Sequence, residues 1–193
     1  MKAIYETSAA KSTQLPAMSL PEFAFIGRSN VGKSSLLNAL LNYTGLARTS
    51  RTPGRTQMAN FFRVNDRWYF VDLPGYGFSS AAHGEHKDWQ NLMDAYLTRP
   101  VIQRFLFVWD PRRDFEDEDF QLALALSQRA PLSLILTKCD KLSRSERAQK
   151  QRFHESALKS RGVAVVSTHA VSSLKKDGTS ELLKVLTEPA TNS

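Results

Sequence analysis

The sequence holds a single cysteine, Cys139, so no internal disulfide can form, and that usage suits a reducing compartment. No run approaches the roughly 18 apolar residues of a bilayer-spanning helix, so membrane insertion is excluded on sequence grounds. The opening Met1-Lys2-Ala3-Ile4-Tyr5-Glu6 has no apolar stretch of the kind a secretory signal needs, and the expected location is cytoplasmic. His83, His86, His154 and His169 show no metal-ligand spacing, and with one cysteine a zinc site is not expected. Internal repeats and low-complexity tracts are absent. No sustained heptad or broad apolar face is visible either, so a monomer is expected.

Acidic residues are the minority: 19 Asp and Glu stand against 26 Lys and Arg, a net charge of +7. A balance of that sign leans toward a polyanionic partner, nucleic acid first. The excess is uneven. Between Lys141 and Arg161 lie seven bases (Lys141, Arg144, Arg147, Lys150, Arg152, Lys159, Arg161) against Glu146 and Glu155, so this stretch carries +5. Apolar residues at 41% of 193 are enough for one substantial core. The expected organisation is a lead-in over residues 1–20, one domain over 21–187 and a polar tail over 188–193.

Short apolar runs alternate with helical patterns. Glu22–Ile26 reads as a buried strand and Lys33–Leu41 as a helix. A long polar stretch, 42–59, is punctuated by Gly45, Pro53 and Gly54, and a loop of that length inside a compact domain is expected to be functional or disordered. Phe61–Val64 and Trp68–Val71 form a hairpin about Asn65-Asp66. Helices are expected over His86–Leu97, Phe115–Ser127 (capped by Asp114), about Ser145–Lys159 (capped by Ser143 or Ser145) and Ser180–Leu186. Further strands are expected at Phe105–Trp109, Leu132–Leu136 and Gly162–Val166. The alternation predicts a three-layer α/β fold with a six-stranded, mostly parallel sheet and one antiparallel edge strand.

Between the first strand and the first helix stands Gly27-Arg28-Ser29-Asn30-Val31-Gly32-Lys33-Ser34-Ser35, a Gly-x-x-x-x-Gly-Lys-Ser phosphate loop. Strand, glycine turn and helix start in that order aim successive backbone N–H groups at an anion, aided by the helix dipole. Lys33 would reach the outer phosphates and the Ser34 hydroxyl would hold Mg2+. Asp72, at the end of its strand, could hold the same ion through a water, while the Gly75 N–H meets a terminal phosphate. In Thr137-Lys138-Cys139-Asp140, a carboxylate at Asp140 accepts the paired N–H donors of guanine, a pair adenine lacks, and the Lys138 stem would lie along the base. Val171-Ser172-Ser173 could present backbone N–H to the guanine carbonyl.

These elements in this order resemble the translation-factor-related GTPases. More narrowly, the phosphate loop, Arg51-Thr52-Pro53-Gly54-Arg55-Thr56-Gln57 and Asp72-Leu73-Pro74-Gly75-Tyr76-Gly77 are similar to the EngB/YihA (YsxC) family over roughly residues 20–187. The resemblance implies a P-loop GTPase domain that binds GTP and GDP, assists assembly of the large ribosomal subunit and is needed for normal division and septation. It also implies that Gly54, Arg55, Thr56, Gln57 and Met58 join the nucleotide site together with Leu73 and Pro74. Thr56, rather than Thr49 or Thr52, becomes the switch threonine that completes magnesium coordination. By this reading Lys33, Thr56 and Gly75 are the catalytic positions, and Ser34, Thr56 and Asp72 the metal positions.

Two departures from the signalling GTPases shape the expected chemistry. Tyr76 stands where they place a water-orienting glutamine, so intrinsic hydrolysis is expected to be slow. Asn30 falls where some TrmE-related GTPases hold K+, and is equally read as a loop-shaping residue. Tyr76 and Phe78 pack inward, or Phe78 docks a partner. The basic stretch, with Arg48, Arg51, Arg55, Arg112 and Arg113, would contact ribosomal RNA phosphates. Two other classes are weighed. A small-molecule phosphotransferase would have no use for the guanine clamp, whereas a nucleotide-binding scaffold with negligible catalysis would tolerate the missing glutamine.

Overall fold

The computed structural model describes residues 1–42, 58–77 and 83–187, with only the backbone over 83–86. Seven strands form one sheet: β1 (Ala3–Ala9), β2 (Glu22–Ile26), β3 (Ala59–Val64), β4 (Trp68–Asp72), β5 (Ile102–Trp109), β6 (Leu132–Leu136) and β7 (Val165–Ala170). Their order across the sheet is β1-β3-β4-β2-β5-β6-β7. The helices are α1 (Lys33–Leu41), α2 (His83–Leu97), α3 (Asp117–Ser127), α4 (Arg144–Ser160) and α5 (Thr179–Thr187).

Strand side chains alternate between two cores. Ala24, Ile26, Phe105, Phe107, Trp109 and Leu134 face Leu92, Tyr96, Leu126 and Leu158 of α2, α3 and α4. Phe23, Phe25, Phe70, Leu106, Val108 and Ile135 face Leu36, Leu37, Leu40 and Leu182 of α1 and α5. Because both faces are covered, β2 and β6 are buried at every residue, which is why they read as mostly apolar runs, interrupted only by Glu22 and Ser133.

The sheet has seven strands rather than six. The expected antiparallel strand is β3, but β1 pairs antiparallel with it and takes the edge in its place. The lead-in therefore contributes a strand to the sheet. Arg99 fastens it below the sheet, donating from Nε to Glu22 (3.1 Å) and from Nη1 to the Pro16 carbonyl (2.9 Å). In the hairpin, Asn65 and Asp66 both have positive φ (50° and 55°), the left-handed pair that a two-residue turn with native twist requires.

Several boundaries differ from expectation, three of which are informative. Helix α3 starts at Asp117, capped by a box in which Glu116 and Asp119 satisfy each other's backbone N–H, rather than by Asp114. Strand β7 lies at Val165–Ala170 rather than 162–166. Its residues Ser167, Thr168 and His169 are polar edge residues whose strand character comes from pairing with Ser133, Leu134 and Ile135. Strand β5 begins three residues early, at Ile102. The tail 188–193 lies outside the described residues.

Candidate functional site

The parallel strands all end on one side of the sheet, and the chemically unusual residues collect there. At the end of β2 the chain turns through Gly27, where an added Cβ would stand 2.4 Å from the Val108 carbonyl oxygen of β5, so only glycine fits. Asn30 (φ 63°) and Gly32 (φ 101°) take left-handed conformations that bend the loop into the start of α1. An asparagine tolerates that conformation better than most residues, a sufficient local reason for Asn30.

The floor of the loop carries paired charge. The Lys33 ammonium is ion-paired with the Asp72 carboxylate at the end of β4, and both are nearly enclosed. The Ser34 hydroxyl stands 3.4 Å from the other Asp72 oxygen. Gly75 closes against the loop: a Cβ there would lie 3.1 Å from Ser29 Oγ and 3.4 Å from the Gly27 carbonyl oxygen. Leu73 is buried and hydrogen-bonded to Phe25, and the Pro74 carbonyl accepts from the Trp89 indole of α2 at 3.4 Å.

Arg28 turns away from this floor. Its guanidinium pairs with Glu116 (2.9 Å) and the buried Asp119 (3.3 Å) of the α3 entry. Tyr76 follows the same direction and is only 4% exposed, its ring stacked on Phe107 at 6.4 Å and 11°. Tyr76 packs inward; Phe78, for which inward packing and partner docking were both expected, lies outside the described residues. The Tyr76 hydroxyl is buried beside the Asp119 carboxylate, and burial first, then Asp119, pushes its pKa far above the usual phenol value. No side chain of Tyr76 reaches the mouth of the loop.

Facing the phosphate loop is the turn after β6. The Thr137 hydroxyl lies 2.5 Å from the Val31 carbonyl and 3.0 Å from that of Trp109, while Lys138 Nζ donates to the Asn30 carbonyl at 2.6 Å. The two loops are thus stitched together. The Cys139 N–H bonds the Val171 carbonyl (3.2 Å), and burial raises the thiol pKa. Asp140 accepts a 2.6 Å bond from the Ser172 hydroxyl, the leading cause of its lowered pKa, so it stays ionised and open toward solvent. Ser173 is partly exposed beside it.

The structure therefore brings together Gly27, Ser29, Asn30, Val31, Gly32, Lys33, Ser34, Asp72, Gly75, Thr137, Lys138, Asp140, Val171 and Ser172. Ser35 is exposed on the first turn of α1. Met58 is exposed two residues ahead of Asn60, the partner of Asp72 across β3 and β4. Gly54, Arg55, Thr56 and Gln57 lie outside the described residues, as do Arg48 and Arg51. Arg112 has a partner: its guanidinium grips Asp110, with Nη2 at 2.6 Å. Arg147 and Arg161 are also paired, with Asp177 and Asp117. Asp110 itself escaped the sequence reading. The signal was present, since an acid directly after an apolar central strand is what marked Asp72.

A strand-turn-helix phosphate loop, an acid at the end of the neighbouring strand and an acid beside a serine loop at the far end define a P-loop GTPase. The profile of the family described as "50S ribosome-binding GTPase" matches residues 22–138. The chain is 42% identical to the probable GTP-binding protein EngB of Geobacter metallireducens over 93% of this chain and 88% of that one. It is 43% identical to that of Francisella philomiragia over 96% and 95%. A crystal structure of a probable GTP-binding protein EngB superposes with a TM-score of 0.64 over 86% of this chain and 97% of the other, at 21% identity. The chain belongs to the EngB family of GTP-binding proteins, and guanine nucleotides are its ligands.

Proposed function

We propose that this GTPase is a slow, magnesium-dependent GTP hydrolase that acts as a switch in assembly of the large (50S) ribosomal subunit. The observation that supports it best is the convergence of Lys33, Ser34 and Asp72 with Lys138, Asp140 and Ser172 on one rim of the sheet. In this reading the phosphates lie in the Gly27–Ser35 loop and guanine faces Asp140 and Val171–Ser173. Lys33 exchanges the Asp72 carboxylate for the outer phosphates, so nucleotide entry breaks one ion pair and makes another.

Ser34 and Asp72 offer hard oxygen donors side by side, a set that suits Mg2+, with Thr56 as the third. The ion, when bound, neutralises charge on the outer phosphate oxygens. Lys33, the Gly75 N–H and Thr56 stabilise the transferring group. With Tyr76 buried, no side chain at that position orients the attacking water, which supports the slow rate. Potassium held at Asn30 would offset charge on the bridging oxygens; equal turnover in sodium and potassium, with Asn30→Ala no slower, would exclude it.

The partner is the precursor of the large subunit, and the normal course of cell division and septation depends on its supply. Lys141, Arg144, Lys150, Arg152 and Lys159 have no ion-pair partner among the described residues. Phe153 is half exposed among them, with Lys150 Nζ 5.5 Å from its ring centroid, a face suited to ribosomal RNA. The protein acts in the cytoplasm as a monomer, with no insertion into membranes. Cosedimentation with large-subunit particles in graded salt tests this. Binding should be stronger with a non-hydrolysable GTP analogue than with GDP, and reversing the charges at Lys150 and Arg152 should weaken it and flatten its salt dependence. Equal binding in both nucleotide states overturns the switch.

The burial of Tyr76 also favours a second reading, a nucleotide-binding scaffold at the division site with negligible catalysis. Turnover that stays negligible even with particles present would favour it.

A further inference from the structure

The loop after β5 is built with more care than a connection needs. The Trp109 indole donates to the Arg113 carbonyl at 3.0 Å, and His154 of α4 meets the Pro111 carbonyl at 3.1 Å. Phe115 packs on Trp109 with ring centroids 4.4 Å apart. Three aromatic or imidazole groups thus hold Pro111–Phe115 rigidly, and what the loop presents is Asp110.

Asp110 is 3% exposed. Arg112 grips it from outside through Nε (2.9 Å) and Nη2 (2.6 Å), and its own N–H adds a bond at 3.2 Å. From the other side Lys138 Nζ approaches at 3.1 Å. Burial opposes ionisation of this carboxyl, but the donors from Arg112 and Lys138 outweigh it and hold its pKa well below the usual range. It is therefore a fixed negative charge behind the base-reading turn.

Lys138 needs such an anchor. Its backbone is left-handed (φ 55°), a conformation that costs a lysine roughly 1 kcal/mol and persists only when the surroundings impose it. Its side chain must also lie back across the phosphate loop to reach the Asn30 carbonyl. One carbonyl oxygen is a weak hold on an ammonium with three donors; a buried carboxylate in line with it is a strong one.

We propose that Asp110 is a positioning residue of the guanine site: with Arg112 behind it, it pins the Lys138 ammonium so that the lysine stem is laid out as the surface on which the base rests. This rests on the reading of Lys138 and Asp140 as the base-contacting pair. Asp110 touches no part of the nucleotide. Its influence passes through Lys138, so it acts at the base end and is indifferent to the number of phosphates.

The test is a double-mutant cycle on nucleotide affinity, using GDP and a non-hydrolysable GTP analogue with Asp110→Asn, Arg112→Ala and Lys138→Ala. Asp110→Asn is expected to weaken both nucleotides about tenfold, by the loss of a charge-assisted contact, with their ratio unchanged. Arg112→Ala should weaken both about two- to threefold, and it reads out the same grip should Asp110→Asn fail to fold. In a Lys138→Ala background both changes should cost less than about twofold. If Lys138→Ala leaves GDP affinity intact, the reading of the base site fails. If Lys138→Ala weakens GDP while Asp110→Asn and Arg112→Ala do not, or weaken it equally in both backgrounds, only the role of Asp110 fails.

Discussion

The two ends of the nucleotide site are prepared in opposite ways. At the base end every polar group is already placed for a ligand. Asp140 is ionised and steadied by Ser172, Lys138 is stretched over the phosphate loop, and Thr137 ties that loop to β6. At the phosphate end the groups satisfy one another: Lys33 is spent on Asp72, and Arg28 on Glu116 and Asp119. The difference follows from charge. A buried ammonium cannot wait unpaired for a phosphate, nor a buried carboxylate for a metal, so each takes the other until the ligand replaces it. A partly exposed carboxylate such as Asp140 stays hydrated and needs no placeholder. On the proposed reading of the site, guanine meets a preformed surface, whereas phosphates and Mg2+ exchange partners with an existing ion pair.

The sharpest way to break this comparison is Lys33→Ala. It should lower GTP affinity by on the order of 100-fold, through loss of a charge-assisted phosphate contact. It should also destabilise the nucleotide-free protein by roughly 3 kcal/mol, because Asp72 is left buried and uncompensated. Thermal unfolding without nucleotide checks this, and Asp72→Asn added to Lys33→Ala should restore most of the loss. If Lys33→Ala leaves the nucleotide-free protein as stable as before, the placeholder role is wrong.

Asp140→Asn probes the opposite end. Affinity for GDP should fall by on the order of 100-fold, since guanine's paired donors lose their acceptor, and preference over ADP should shrink with it. The nucleotide-free melting temperature should barely move, in contrast to Lys33→Ala. Competition binding and calorimetry on the same preparations give both numbers.

A smaller effect is expected at Tyr76. Restoring the signalling-type glutamine should not speed hydrolysis. Tyr76→Gln would put an amide into the stack on Phe107 and cost about 2 kcal/mol of stability. Tyr76→Phe, which keeps the ring on Phe107 and removes only the hydroxyl beside Asp119, should cost about 1 kcal/mol or less. A single-turnover rate raised by Tyr76→Gln would show that this side chain reaches the attacking water after all.

The mildest prediction concerns pH. If Asp140 accepts guanine's donors as proposed, it does so ionised, and the Ser172 hydroxyl lowers its pKa, so binding is maintained above that value and lost as pH falls through it. Ser172→Ala removes the donor, so the acid limb of GDP affinity should move to higher pH. A limb at the same position in both proteins would place the controlling titration elsewhere.

How much of this was legible in the chain depends on whether the signal was local. β2 and α1 were readable to the residue because an apolar run, a glycine turn and a run of helix formers follow one another. β1 was not, because Ala3–Ala9 has weak alternation and becomes a strand only by borrowing hydrogen bonds from β3, more than fifty residues away. β7 was misplaced by a few residues for the same reason. Within the site, Lys33, Ser34, Asp72 and Asp140 were legible as motif residues. The turn of Arg28 and Tyr76 toward α3 and the clamp on Lys138 by Asp110 were not, since each depends on a contact across thirty to ninety residues of sequence.

By itself the sequence determined the class of fold and the order of the chemistry, because phosphate loops and buried parallel strands are written in short contiguous patterns of glycine, charge and apolar residues. Only the tertiary structure decided which charges stand ready and which are occupied. Burial fixes the cost of leaving a charge alone, and burial is a property of the packed sheet and its helices that no short stretch of chain contains.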